Sequence, residues 1–291
     1  MVNVLVTGAN GQLGSELREI NKKKQLIAGK QANFLFTDID TLDLSNSIFL
    51  KKFFQDNTID FVVNCAAYTN VDKAEDEAEK AFIANAKSVD NIIQAIKPQK
   101  TKLIHISTDY VFDGNSNIPY TEDMPTHPNS VYGKSKLEGE KLALEYHQSI
   151  VIRTSWLYSS FGKNFAKSMH QLCKEREELN VVFDQIGTPT YARDLASAIY
   201  QIIEQSVADN RFISEIYHYS NEGVCSWYDF AKAIAKRSYS KCKINPIESK
   251  DYPTPVKRPF YSVLNKSKIK SVYHIMIPHW QESLDDFFRE I

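Results

Sequence analysis

The sequence predicts an α/β protein built on a doubly wound parallel sheet, with a smaller α/β domain at its C-terminal end. Two observations support this fold class. Short apolar runs alternate with helical segments through the first half of the chain, and the runs lack the strict alternation of a half-exposed strand, as expected for strands buried on both faces. A glycine-rich turn also follows the first run, which is typical of Rossmann-like sheets.

The apolar runs predict strands at 2–6, 34–36, 61–67, 102–107 and 149–155. Helices are predicted between and after these strands, at 12–21, 46–56, 72–96, 131–147, 162–176, 192–206, 226–237 and 279–290. The pattern loosens after about residue 155. We therefore expect one domain over 1–155, with part of 180–208 packing on it, and a second, interleaved domain over 156–291.

Composition excludes several classes of function. The chain has 291 residues, enough to bury a sizeable core, and its 35 basic and 36 acidic side chains give a net charge of -1. No basic excess favours nucleic acid, and no apolar run approaches the ~18 residues that span a bilayer. The four cysteines lack metal-site spacing, and the chain starts directly with a strand. A cytoplasmic protein with no metal is expected.

The first strand ends in "TGANGQLG", where Gly8, Gly11 and Gly14 follow a G-x-x-G-x-x-G pattern. Such glycines let the backbone approach a pyrophosphate, while the following helix directs its first N–H groups at the negative charge. An ordinary structural turn is the alternative. Acidic residues after the second strand are candidates for binding ribose hydroxyls: Asp38, Asp40 and Asp43.

A composite signal lies further along the chain. The fourth strand ends in "ISTDYVFDG", which places Thr108 and Asp109 at the sheet edge where open α/β folds bind ligands. Twenty-four residues after Thr108, "SVYGKSK" places Tyr132 and Lys136 four residues apart, on one face of a helix. These residue types suit carbonyl reduction by a nicotinamide, with a phenol as proton donor and a threonine hydroxyl orienting the carbonyl.

The spacing of Tyr132 and Lys136 also suggests a tuning effect. A tyrosine with a pKa of about 10 matches neutral pH poorly. An ammonium ~5 Å away, at an effective dielectric constant of ~20, would favour the phenolate by roughly 3 kcal/mol, or about two pKa units. Lys136 is therefore expected to lower the pKa of Tyr132, and could also hold the nicotinamide ribose.

With these residues assembled, the sequence resembles the dTDP-4-dehydrorhamnose reductase family of the extended short-chain dehydrogenase/reductases. The resemblance covers nearly the whole chain, through "TGANGQLG", "NCAAYTNVDKAE", "STDYVFDG", "YGKSKLEGE", "RTSWLY", "DQIGTPTYARDLA" and "RPFYSVL". It implies a cofactor site that includes Gly8 and also Gly11, Gln12, Leu13, Asp43, Leu44, Ala66, Ala67, Tyr68, Tyr132 and Lys136. It implies catalysis by Thr108, Tyr132 and Lys136, and contacts to a sugar nucleotide from Thr108, Asp109 and Trp156.

The implied reaction is reduction of dTDP-4-dehydro-β-L-rhamnose at C4 to dTDP-β-L-rhamnose, with NADPH or NADH as the cofactor. The turn holds no basic residue for a 2′-phosphate, and Asp38 would repel one. Arg258 in "RPFYSVL" is a candidate for gripping the diphosphate of the substrate, with a surface arginine as the alternative. Trp156 is expected at the deoxysugar or in the core, and Trp280 in the core.

Several alternatives remain open at this stage. Related dehydratases carry Thr-Asp-Glu at the strand end, whereas Tyr110 takes the place of the glutamate here, which favours simple reduction. A reductase of another 4-keto-6-deoxysugar, a non-catalytic NADP-binding regulatory subunit and an epimerase are the other readings. Some family members form dimers around a magnesium held by glutamates, but Arg193 stands at one matching position. A monomer or a differently built homodimer is expected.

Overall fold

The computed structural model describes residues 1–291 and has a seven-stranded sheet at its centre. The strands of the whole chain are, in order, β1 Val2–Thr7, β2 Leu26–Ile27, β3 Lys30–Thr37, β4 Phe61–Asn64, β5 Lys102–Thr108, β6 Ser149–Thr154, β7 Leu157–Tyr158, β8 Glu178–Val182, β9 Ile186–Gly187, β10 Thr190–Tyr191, β11 Ile216–His218, β12 Cys225–Ser226 and β13 Lys243–Ile247. The central sheet has the order β11-β6-β5-β4-β1-β3-β2. All its pairings are parallel except the one between β2 and β3.

The helices cover both faces of this sheet and build a second unit beside it. They are α1 Gln12–Lys23, α2 Ser47–Asp56, α3 Lys73–Asp76, α4 Ala78–Phe82, α5 Ser88–Ile96, α6 Val131–Leu144, α7 Phe165–Glu175, α8 Ala192–Asp209, α9 Trp227–Arg237, α10 Ser267–Tyr273 and α11 Trp280–Phe288. A π-helix over Ile83–Lys87 lies between α4 and α5. No helix combines the length and the apolar character that crossing a bilayer requires.

The central sheet is buried on both of its faces. Val4 and Val6 of β1 belong to one apolar cluster, whereas Leu5 belongs to another on the opposite face. Because successive strand residues point to opposite faces, both faces of the sheet need an apolar cover. Helices provide it, and the predicted doubly wound α/β fold is confirmed.

Helix α8 covers one face of the sheet together with α1. Its apolar residues Leu195, Ile199 and Ile202 are fully buried in the same cluster as Val4 of β1. This segment follows β7 to β10 in the chain, so the polypeptide returns from the second unit to the sheet. Burial of α8 in this cluster agrees with packing of part of 180–208 on the sheet, while the division into two domains stays a prediction.

A third apolar cluster holds α7, α9 and α11 together. Phe230 of α9 packs edge-to-face on Trp280 of α11, with ring centroids 5.9 Å apart, and both residues are buried. The prediction that Trp280 belongs to the core is confirmed. Trp156, which follows β6 in the chain, packs against this cluster.

One predicted helix is interrupted in the structure. The periodic pattern over 72–96 predicted a continuous helix, but α3 ends at Asp76, α4 ends at Phe82, and a π-helix precedes α5. The π-helix turns Asn85 inward, where its amide bonds both backbone groups of Tyr68. Sequence periodicity carries no signal for such a side-chain bond to a distant backbone.

Candidate active site

The site lies in a cavity of about 950 Å³ at the carboxyl ends of β1, β4 and β5. Parallel strands place the residues that follow them along one edge, which is where open α/β sheets bind ligands. The structure brings together in this cavity the predicted residues Gly8, Gly11, Gln12, Leu13, Asp43, Leu44, Ala66, Ala67, Tyr68, Thr108, Asp109, Tyr132, Lys136 and Trp156. Asp38 also lines it, but Asp40 does not, so Asp40 loses its support as a ribose ligand.

The glycine-rich turn between β1 and α1 packs so closely on its neighbours that Gly8 has no room for a side chain. Gly8 has a φ of 63°, and a Cβ there would lie 2.6 Å from the backbone nitrogen of Ala66. Helix α1 begins after Gly11 without a side-chain cap. The first N–H groups of an uncapped helix remain available to an anion, so the turn fits a pyrophosphate.

Replacing Gly8 with alanine tests this fit. We expect a positive φ to cost about 1–2 kcal/mol for a residue with a Cβ, and the clash with Ala66 to add about 1–3 kcal/mol. Cofactor affinity should fall at least about tenfold, because the turn must move. Chemical denaturation and fluorescence titration with NADPH measure the two effects.

Gly29 provides the matched control, since its φ is 75° but a Cβ there meets nothing within 4 Å. Gly29→Ala should carry only the cost of the backbone conformation and leave NADPH affinity unchanged. Equal losses of affinity in both variants would contradict the close approach at Gly8.

Two asparagines that the sequence analysis did not single out hold the backbone in the part of the cavity where the cofactor is predicted to bind. Asn64 at the end of β4 accepts bonds from the Thr7 hydroxyl at 2.7 Å and from the Ala66 N–H at 3.2 Å. Asn85 accepts from the Tyr68 N–H at 2.8 Å and donates to its carbonyl at 3.1 Å. Asn64 is the last residue of the buried strand β4, and a polar side chain at that strand end is the signal by which the sequence could have revealed it.

The catalytic candidates come from β5 and α6. Thr108 is the last residue of β5 and is buried. Helix α6 starts at Val131, where the Ser130 side chain caps it by accepting from the Gly133 N–H at 3.0 Å. This start places Tyr132 and Lys136 in the cavity, and both are buried. The structure therefore brings together three residues that were predicted from two separate motifs.

The expected lowering of the tyrosine pKa by lysine is not found. Burial raises the pKa of Tyr132, the Thr108 hydroxyl lowers it in part, and Asp109 and Tyr110 raise it further. Burial also lowers the pKa of Lys136 to about 8. The Lys136 ammonium donates at 2.6 Å to the carbonyl of Ile106, so its strongest bond goes to the backbone and not to the phenol.

A second cavity of about 970 Å³ adjoins the first, and Tyr110 and Trp156 line both. Trp156 adopts a φ of 49° and stacks on Trp227, with ring centroids 3.6 Å apart. Trp156 is thus at the junction of the cavities and also packs on a core cluster. One face of the ring is therefore covered, and the half-buried residue still lines the cavities; its contact with a deoxysugar stays a prediction.

Arg258 lies in the second cavity and forms an ion pair with Asp72. Asp72 also accepts a bond from the Val256 N–H at 3.3 Å. The Nη1 atom of Arg258 is buried and has no hydrogen-bond partner. Since a guanidinium without a full set of acceptors can bind a phosphate, Arg258 is no ordinary surface residue.

Arg193 links two carboxylates outside the cavities. Its Nε lies 3.3 Å from the Oε2 of Glu16, which is fully buried, and its other nitrogens pair with Glu290 near the C-terminus. The positive guanidinium between the two glutamates compensates their negative charges. The residues here therefore do not form a set of carboxylates suited to magnesium.

Comparison with known proteins shows similarity over the full chain. The model of the family described as the RmlD substrate binding domain matches residues 2–291. A dTDP-4-dehydrorhamnose reductase from Aggregatibacter actinomycetemcomitans is 39% identical over 291 residues, which cover 98% of this chain and 97% of that protein. The spore coat polysaccharide biosynthesis protein SpsK of Bacillus subtilis (strain 168) is 39% identical over 293 residues, covering 100% of this chain and 98% of SpsK.

A solved structure agrees with the sequence relatives. The dTDP-4-dehydrorhamnose reductase of Bacillus anthracis str. Ames, in complex with NADP, superposes with a TM-score of 0.92 at 37% identity. Each of the two chains covers 100% of the other. The sheet, the second unit and their connection are therefore shared along the whole length.

Proposed function

The chain belongs to the family described as the RmlD substrate binding domain, and from this membership and the cavity we propose that it is an NAD(P)H-dependent reductase. Its substrate is dTDP-4-dehydro-β-L-rhamnose, and its product is dTDP-β-L-rhamnose. The proposal rests on one observation: Thr108, Tyr132 and Lys136 line the same cavity as the glycine-rich turn.

The first cavity fits a nicotinamide dinucleotide. The uncapped start of α1 and the close approach at Gly8 suit the pyrophosphate, while Asp43 and Leu44 line the end assigned to the adenosine. When bound, the reduced nicotinamide supplies a hydride for C4 of the sugar. We place NADPH first, because the relative of known structure carries NADP.

Tyr132 supplies the proton for the carbonyl oxygen. Because burial raises the pKa of Tyr132, the side chain is a phenol at neutral pH and holds the proton that the product alcohol needs. As negative charge develops on the ketone oxygen, the phenol donates that proton. The Thr108 hydroxyl orients the carbonyl, and Lys136 holds the ribose and balances charge.

The second cavity takes the nucleotide part of the substrate. Arg258 offers its unpartnered Nη1 to the diphosphate, and Trp156 bounds the deoxysugar where the two cavities meet. Tyr110 at the strand end supplies no carboxylate, so elimination of water lacks the second acid–base group that it requires. Reduction of the ketone is the chemistry that these groups support.

An assay with the proposed substrates tests the function. Purified protein, NADPH and dTDP-4-dehydro-β-L-rhamnose should consume one NADPH for each dTDP-β-L-rhamnose formed, followed by nicotinamide absorbance and by NMR of the product. Tight binding of NADPH without turnover would favour a regulatory subunit instead. Isomerised sugar without consumption of NADPH would favour an epimerase. Because the four cysteines are unpaired, the assay should use a reducing buffer. The same observation supports a cytoplasmic location.

A further inference from the structure

Asp109 is a buried carboxyl group for which the resemblance implies a contact with the sugar nucleotide, but the proton transfer described above gives it no part. It lies in the first cavity and is 5% exposed. Its Oδ1 accepts a hydrogen bond from the Thr108 hydroxyl at 3.0 Å, while its Oδ2 is buried without a hydrogen-bond partner. A buried unpartnered carboxylate oxygen is costly, so the group calls for a functional explanation.

The hydrogen bonds of Thr108 conflict with its proposed role of donating a hydrogen bond to the substrate ketone. A threonine hydroxyl has one proton and two lone pairs. With Asp109 ionised, that proton goes to Oδ1, and the oxygen accepts from the Tyr110 N–H at 3.2 Å. The Thr108 hydroxyl also lowers the pKa of the Tyr132 phenol. Thr108 then has no proton to give to a ketone oxygen.

Protonation of Asp109 removes this conflict. A carboxylic acid can donate its own proton to the Thr108 oxygen, which frees the threonine proton for another acceptor. Resting on the function proposed above, we propose that Asp109 must be protonated for Thr108 to donate to the substrate ketone, which makes Asp109 the positioning residue that sets the direction of this hydrogen bond.

The surroundings of Asp109 favour a protonated group. Burial raises the pKa of Asp109 to about 6, against smaller lowering effects from Ser262, Thr108 and nearby backbone N–H groups. The titratable groups that face it are Tyr110 on its own turn and Tyr132 from α6, both neutral phenols. The main influences on its pKa include no cation. The protonated fraction therefore falls as the pH rises through about 6, and the productive hydrogen bond is lost with it.

The test compares pH profiles of kcat/KM for the full chain and for Asp109→Asn. An asparagine amide donates to Thr108 at every pH, so its profile should be flat between pH 6 and 8. The unmodified chain should lose about 50-fold over this range, the change in the protonated fraction of one group with a pKa of about 6. Asp123→Asn, which changes an exposed carboxylate on the following loop, should keep the fall of the unmodified chain.

A parallel fall in the full chain and in Asp109→Asn would overturn the proposal. A measurement without substrate supports the test: the carboxyl ¹³C signal that disappears in Asp109→Asn should titrate near pH 6 in the ligand-free protein. A midpoint below about 4.5, close to an ordinary aspartate, would also overturn it. If no sugar nucleotide is reduced, the proposed function fails, and the ¹³C titration still decides the protonation state of Asp109.

Discussion

Replacing Tyr132 with phenylalanine is expected to lower turnover at least about 100-fold, the lower range for loss of a general acid. The phenol is the proposed proton donor, and it lines the same cavity as Thr108. Its ring packs edge-to-face on Tyr110, with centroids 5.5 Å apart, and phenylalanine preserves that packing. Affinity for NADPH should therefore stay within about twofold, because the variant loses only a hydroxyl. Stopped-flow turnover and fluorescence titration measure the two quantities.

Tyr120→Phe is the matched control for this variant. Tyr120 is also a buried tyrosine, and its hydroxyl donates to Asp113 at 2.8 Å, but it lines neither cavity. Turnover in this variant should remain close to that of the unmodified chain. Near-normal turnover in Tyr132→Phe would remove Tyr132 from the role of proton donor.

Replacing Arg153 alone with methionine should destabilise the fold by about 3–5 kcal/mol, the range for breaking a buried ion pair from one side. Arg153 and Glu140 are both almost fully buried, and two parallel bonds of 2.9 and 2.7 Å join them. The guanidinium also lies over the ring of Phe112, 5.0 Å from its centroid. Without the guanidinium, the Glu140 carboxylate would stay buried between α6 and the sheet with no cation to compensate its charge. Urea unfolding measures the change in the free energy of unfolding.

The double variant Glu140→Gln, Arg153→Met separates loss of the pair from loss of packing. A neutral amide tolerates burial better than an uncompensated carboxylate, so the double variant should recover most of the stability. Loss of less than about 1 kcal/mol in Arg153→Met would contradict a fully buried ion pair.

The sheet and the positions of the candidate catalytic residues could be predicted because their signals are local. Val4, Leu5 and Val6 form an apolar run that only a strand covered on both faces can bury. Tyr132 and Lys136 sit one helical turn apart, so their meeting depends only on α6 being a helix. Strand ends fix the position of Thr108. These features need no knowledge of distant contacts.

The remaining features depend on contacts between residues far apart in the chain. Asn85 turns inward because its amide pairs with the backbone of Tyr68, which no periodic pattern encodes. The length of the Lys136 side chain lets its ammonium reach the carbonyl of Ile106, and i,i+4 spacing could not reveal that partner. Arg258 pairs with Asp72, which lies 186 residues away in the chain. Tertiary packing decides all three.

Transfer of deuterium tests the central claim most directly. The protein should be supplied with dTDP-4-dehydro-β-L-rhamnose and NADPH labelled at C4 of the nicotinamide, with each of the two labelled stereoisomers in turn. One isomer should yield dTDP-β-L-rhamnose with a single deuterium at C4 of the sugar, seen by NMR. Unlabelled product from both isomers, or no product beside tightly bound NADPH, would contradict a reductase that delivers hydride to this ketone.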